Sequence, residues 1–330
     1  MSNSPSSIPN LNQTAARALE RLAQRAADLR VGVHRLGDGS FLVDAGVDAT
    51  GGIQAGLELA RICLSDLGSV EVGAGALLGG SCPEITVQTD HPVAACMASQ
   101  YAGWQVSVGK FFAMGSGPMR AAYAGEELFA SLEASGLSYR QATDRVVGVL
   151  ESAALPGEDV FSFIAEKAGV EKGAVSLVVA PTRSLAGGVQ VVARSVETAL
   201  HKLHTLGFDL NLVVSGMGSA PLPPPGRNDL RALGRTNDAI LYGGRVTLWV
   251  DTDDAALEAI GPKVPSSSSK DYGTPFYETF TRYERDFYKI DPHLFSPAQI
   301  TFQNLASGHS HTFGTVNQDV LSLSFFDGLS

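Results

Sequence analysis

The stretch Ser176–Gly207, SLVVAPTRSLAGGVQVVARSVETALHKLHTLG, constrains the fold more than any other part of this chain. Ser176–Ala180 is a short, apolar, β-branched run, the signature of a buried strand. Pro181–Gly188 is rich in Gly, Pro, Ser and Thr and reads as a turn. The amphipathic segment that follows closes at Gly207, a C-cap glycine. At about 100° per residue, Val189, Val192, Val196, Leu200, Leu203 and Leu206 share one side of a single helix. Gln190, Arg194, Glu197, His201 and His204 form a polar, mostly titratable stripe beside it. In open α/β sheets a strand–loop–helix turn of this kind is a common place for a site.

The rest of the chain alternates in the same way. Leu11–Arg30 has helical spacing, and Val31–His34 and Phe41–Val43 flank the hairpin turn Gly37-Asp38-Gly39. Ile53–Leu67 predicts a helix entered through Gly51-Gly52, and Val70–Val72 and Ile85–Gln88 predict strands around the glycine-rich Gly73–Gly80. Pro92–Ala102 predicts a helix with proline in its first turn. Trp104–Val108 and Phe111–Ala113 read as extended, and Gly115–Pro118 as a turn into a further helix. Val146–Leu150 is a strand and Asp159–Ala168 a helix. Pro221–Pro225 marks a rigid loop, Asp229–Leu241 a helix ending at Gly243-Gly244, and Val246–Val250 a strand. The serine run Ser266–Ser269 reads as a surface loop and Pro275–Tyr283 as helical. Phe287–Ile290, Ile300–Leu305 and Val320–Phe325 read as extended. The expected class is α/β (α+β): two lobes with mixed sheets and a substrate cleft between them. Residues 1–10 are expected to be a disordered tail, 11–140 a first domain and 141–330 a second, whose C-terminal strands can return to the first.

With 330 residues, 44% of them hydrophobic, the chain can bury a substantial core. The net charge of −10 argues against nucleic acid and anionic membranes as partners. It suits a cationic or neutral small molecule, and equally a need for solubility alone. Cys63, Cys82 and Cys96 form no CxxC pair and are odd in number, which points to a reducing compartment rather than a disulfide framework or a cysteine zinc site. The polar start carries no basic segment followed by an apolar one, and no run reaches about 18 apolar residues, so the expected location is the cytoplasm.

Four places carry candidate chemistry. Arg194 and Glu197 are three apart, neighbours on one helical face; the spacing suits both a solvated ion pair and a catalytic pair beside a glycine-rich turn. Glu197, His201 and His204 have the i, i+4, i+7 spacing of metal ligands, although no HExxH is present and His309-Ser310-His311 falls in a turn. Gly115-Ser116-Gly117 resembles the start of a dinucleotide fingerprint but fails at Arg120, leaving the turn Ser116–Pro118 as either a tight connection or a receiver of a polar ring edge. Arg235, Thr236, Asn237 and Asp238 are four consecutive hydrogen-bonding side chains, suited to capping a helix or to reading the edge of a polar heterocycle.

Several ordered strings then identify a family. SQYAGW (Ser99–Trp104), FFAMGSGP (Phe111–Pro118), the run Ala180–Asp209, GSAPLPPP (Gly218–Pro225), GRTNDAILYGGRV (Gly234–Val246) and the run Phe287–Ala298 resemble methenyltetrahydromethanopterin cyclohydrolase. The likeness extends from about Val31 to Pro297. It implies a two-domain α/β enzyme of one-carbon metabolism, as in methylotrophy, with a pocket between the domains. The reaction it implies adds water to the methenyl bridge between N5 and N10 of the pterin, giving the N5-formyl compound. It further implies no metal and no cofactor beyond the pterin substrate, a cytoplasmic location and, as in archaeal members, a homotrimer. The family's catalytic Arg-x-x-Glu pair falls on Arg194 and Glu197. Glu197 is then the expected base for water, with Arg194 orienting it and stabilising the adduct. Ser116, Gly117, Pro118, Thr182, Ser184 and the Arg235–Asp238 cluster are the expected pterin-binding surface. The rivals are a metal-dependent C–N hydrolase using Glu197, His201 and His204, and a non-catalytic pterin-binding protein.

Overall fold

The computed structural model describes residues 9–326. Residues 1–8, most of the expected tail, lie outside it, as do 327–330. Two six-stranded mixed sheets form the molecule. The first has the order β1 (Gly32–Arg35), β2 (Phe41–Asp44), β8 (Val175–Ala180), β7 (Val146–Glu151), β6 (Phe111–Ser116) and β5 (Trp104–Val108). β2, β8 and β7 run parallel; the outer pairs are antiparallel. The second sheet has the order β12 (Ser310–Gly314), β11 (Gln299–Asn304), β10 (Arg245–Val250), β9 (Val213–Pro221), β4 (Glu84–Thr89) and β3 (Ser69–Gly73). Only β10 and β11 are parallel there. Segments from both sides of residue 140 enter each sheet.

The helices cover these sheets. α1 (Leu11–Gln24), the short α2 (Ala26–Leu29) and α3 (Ile53–Cys63) come first, followed by α4 (Met119–Tyr123), α5 (Glu127–Ala134) and α6 (Glu158–Ala168). α7 (Leu185–Val192), α8 (Ser195–Thr205) and α9 (Asp229–Gly243) surround the centre, with α10 (Asp254–Ile260), α11 (Phe276–Arg282) and α12 (Gln318–Phe325) beyond. The largest core cluster takes in Val189, Val192, Val196, Leu200 and Leu203, so the apolar stripe read from the sequence faces the interior. Each such side chain contributes about 1.5–3 kcal/mol by leaving water.

The single helix expected after the glycine-rich turn is two helices. It is interrupted at Ala193 and Arg194, and Arg194 takes the N-cap position of α8. No Pro or Gly explains the break. The carbonyl of Ala193 instead accepts a hydrogen bond from Gln100 Nε2 at 3.0 Å. A side chain inserted on the carbonyl ladder is a known cause of such interruptions. Gln100 ends a π-helical turn, Val93–Gln100, where an α-helix was expected; Tyr101 N closes it on Cys96 O, five residues back.

Other expectations are corrected. β9 is the longest strand in the molecule and was not foreseen, because Val213–Pro221 (VVSGMGSAP) lacks apolar alternation. Its glycines have a packing cause. A Cβ on Gly216 would sit 2.9 Å from Val196 Cγ1, and one on Gly218 would collide with Ser195 Oγ, so β9 without side chains there lets α8 lie close against the sheet. Val320–Phe325, expected extended, is part of helix α12, capped by Asn317. Phe287–Lys289 is a 3-10 turn, not a strand, and Ser266–Ser268 is another, with Ser266 fully buried rather than on the surface. Gly115 and Ser116 belong to β6, so the turn begins only at Gly117.

Candidate active site

α8 carries its polar stripe inward. Arg194 and Glu197 are 7% and 6% exposed, which removes the solvated-pair reading. They form no ion pair. Arg194 Nη2 donates to Gln190 Oε1 at 2.8 Å, one turn back, and its buried Nε has no partner among the described residues. The hydrogen bonds among the described residues include none to the Glu197 carboxylate. Burial therefore dominates: Glu197 is pushed up from 4.5 to about 7, against the opposing charges of Arg194 and Arg120.

The π-helical turn supplies the neighbours. Tyr101 follows it directly and stacks on His201, with ring centroids 4.8 Å apart. Burial and, next, the Glu197 charge push the Tyr101 phenol up to about 12. Burial also lowers His201 to about 4, so its imidazole is neutral at pH 7. Arg120, fully buried, braces the end of the turn. It grips Glu126 through Nε and Nη2, at 2.8 and 2.7 Å, and donates through Nη1 to Met97 O at 2.8 Å. Its guanidinium lies 5.0 Å from the Tyr101 ring centroid. Gln100, Tyr101 and Arg120 were not singled out as site residues from the sequence. The string SQYAGW was the available signal, but apolar and amide side chains carry no spacing that announces a site.

The expected binding residues separate into groups. Ser116 is buried and donates to the Gln100 carbonyl at 2.6 Å. Gly117, at φ +87°, donates to Ser99 O, and the Pro118 carbonyl accepts from Asn12. This turn thus supports the π-helical turn, and its groups are engaged within the protein. Thr182 hydrogen-bonds Glu151 at the end of β7, and Ser184 caps α7 by accepting from Gly187 N. Both line a cavity of about 330 Å³ together with the proline loop Leu222–Pro225 and Thr236. A larger cavity of about 750 Å³ lies beside α1 and β1; neither Arg194 nor Glu197 lines either cavity, so the site is placed by the chemistry of the buried pair.

Arg235–Asp238 does not begin a helix. Asn228 caps α9, and the cluster lies in the helix interior. Arg235 donates to Pro224 O, Pro225 O and Ser324 O, tying the proline loop to α12. Thr236 and Asn237 donate back to carbonyls of their own helix. Asp238, fully buried, accepts from Phe276 N and Ser324 Oγ, and burial raises it to about 7. Only Thr236 of the four also lines the cavity.

Glu197, His201 and His204 do not converge as metal ligands. Among the described residues, the group whose ligand atoms do come together is Asp254, His309 and His311. The last of these lies on β12, not in a turn. No described helix is long and apolar enough to cross a membrane.

The sequence profile of the family described as "Cyclohydrolase (MCH)" matches residues 10–325. A methenyltetrahydromethanopterin cyclohydrolase of Rhodopirellula baltica is 49% identical over 324 residues, covering 96% of this chain and 95% of that protein. Its counterpart in Methylobacterium sp. (strain 4-46) is 46% identical, covering 96% and 98%. That of Methanosarcina barkeri is 41% identical, again covering 96% and 98%.

Proposed function

The chain belongs to the methenyltetrahydromethanopterin cyclohydrolase family, and from that membership we propose that it opens the methenyl bridge of 5,10-methenyltetrahydromethanopterin with Glu197 as the base. The observation that carries the residue assignment is the buried Glu197 carboxylate, without a hydrogen-bond partner among the described residues, raised to about 7 and three residues from a buried arginine. A base with a pKa near the working pH combines availability with proton affinity.

The bridge carbon lies between two nitrogens that share a positive charge, so it is electrophilic without a Lewis acid. Water adds to it as Glu197 takes one proton. The C–N10 bond of the tetrahedral adduct then breaks, leaving formyl on N5. N10 receives one proton and the second proton of water goes to solvent. Arg194, held by Gln190, supplies positive charge for the developing oxygen and, from the same position, restrains the rise in the Glu197 pKa. It does so without contacting the carboxylate, so its role is electrostatic rather than one of orienting Glu197. The stacked Tyr101 and His201 offer a flat neutral wall for the pterin. The same reading makes the pterin the substrate and the enzyme a cytoplasmic homotrimer with no further cofactor. Light scattering at working concentration checks the subunit number.

The decisive experiment follows the ultraviolet absorbance of the methenyl compound after adding enzyme, with and without a chelator. Loss of the chromophore in both samples, and its near absence with Glu197→Gln, is the expected result. Decay only without chelator would overturn it in favour of metal chemistry; no decay beyond the buffer rate would leave a binding protein.

A further inference from the structure

We propose that Asp254, His309 and His311 form a site for a borderline divalent cation, of which zinc is the natural probe, that clamps the edge of the second sheet. The three residues come from separate places. Asp254 opens α10, His309 lies in the loop after β11, and His311 is on β12, the outermost strand. His309 lies immediately before β12 and His311 is its second residue. Their ring nitrogens reach the two oxygens of one carboxylate: His309 Nδ1 lies 2.7 Å from Oδ2 and His311 Nε2 lies 2.9 Å from Oδ1. All three ligand atoms fall within 4.8 Å of one another.

The set is of the right chemistry. Two imidazoles and one carboxylate suit zinc, cobalt or nickel, whereas calcium and magnesium prefer oxygen alone. The carboxylate is also held from behind. Asn304, 3% exposed, donates to Asp254 Oδ1 at 2.7 Å and to Thr252 O at 2.8 Å, and Ser307 adds a bond at 2.8 Å. Such outer partners fix the orientation of a ligating carboxylate. His309 is largely exposed, which leaves one side of the group open for a water ligand and for metal entry. A bound ion would join the start of α10 to the β11–β12 hairpin in place of the two histidine–carboxylate hydrogen bonds. These residues are distinct from the Arg194–Glu197 site, so the inference stands or falls independently of the proposed reaction.

The test uses full-length, tag-free enzyme stripped with a chelator. Calorimetric titration with zinc should give one equivalent per chain, magnesium none, and cobalt should produce a visible ligand-field band. Zinc should raise Tm. Asp254→Asn and His311→Ala should each weaken zinc binding by more than about tenfold, the least that disturbing a ligand's support costs. Hydrolysis of the methenyl compound should be unchanged in both. His309→Ala, at an exposed position, serves if either variant fails to fold. Absence of one-equivalent binding to the parent would overturn the proposal. So would binding that survives in the variants, which would place the ion on other histidines.

Discussion

Arg194 and Glu197 are three residues apart and both buried, yet they make no ion pair: Arg194 Nη2 is spent on Gln190 Oε1 at 2.8 Å, and the carboxylate has no hydrogen-bond partner among the described residues. An ion pair would have pulled Glu197 toward full ionisation and weakened it as a base. Keeping the arginine on a glutamine lets its charge act at a distance. For Glu197→Gln we expect kcat to fall by about 100-fold or more, the usual scale for losing a general base, with KM little changed. Steady-state absorbance assays check this, and a loss of less than about tenfold would remove Glu197 from the role.

The pH dependence follows from the same burial. The kcat/KM profile should rise through an acid limb near pH 7 as free Glu197 loses its proton, and the limb should vanish in Glu197→Gln. Arg194→Ala should move the limb upward, because a charge that lowers the carboxylate's pKa is gone. An unmoved limb would exclude Arg194 as its electrostatic partner.

Stability should move in the opposite sense. A folded-state pKa of about 7 against an ordinary 4.5 means the native state holds the extra proton between those values. Stability from this group therefore falls as pH rises from 4.5 to about 7, and the cost is fully present above that. Glu197→Gln should be more stable than the parent above pH 7, by on the order of 3 kcal/mol, and close to it below pH 4.5. Denaturant titrations at the two ends of the range test the sign.

Gln100 is a positioning residue. Its amide holds the Ala193 carbonyl at the break, and so sets where Arg194 and Glu197 point. Gln100→Leu should lower kcat more than it raises KM, with a stability loss of about 1–2 kcal/mol from the freed carbonyl. Equal stability loss with unchanged kcat would make Gln100 purely structural.

The glycines of β9 make a complementary case. In Gly218→Ala the new methyl meets Ser195 Oγ and comes within 3.0 Å of Val196 Cγ2, so α8 must shift at its first turn. Both Tm and kcat should drop, the latter because Arg194 and Glu197 move with the helix. By contrast, Asp238→Ala should lower Tm while leaving KM unchanged, since its partners are Phe276 N and Ser324 Oγ in the surrounding helices.

Much of the architecture was legible in local pattern. The strand Val175–Ala180, the apolar stripe from Val189 to Leu203 and the hairpin at Gly37–Gly39 follow from periodicity and turn chemistry, which need no distant partner. The strand at Val213–Pro221 and the helix at Gln318–Phe325 were not legible, because a glycine-rich central strand and a short apolar helix lack the patterns that identify them. At the site, the sequence placed Arg194 and Glu197 beside one another on a helical stretch. It left Arg235–Asp238 open between helix capping and reading a ring edge, since local spacing does not reveal that these side chains are already taken up by Ser324, Phe276 and their own helix.

The sequence by itself determined the class of fold, the family and the pair of residues on which the reaction is proposed to turn. Tertiary structure decided what that pair can do. The helix breaks at Ala193 because Gln100, 93 residues away, takes its carbonyl, and Glu197 is raised because burial of α8 against the second sheet and the π-helical turn removes its water. Asp254, His309 and His311 meet because β12 pairs with β11 next to the start of α10, bringing together groups up to 57 residues apart. Periodicity is written residue by residue along the chain, whereas desolvation and long-range hydrogen bonds exist only once the chain has closed on itself.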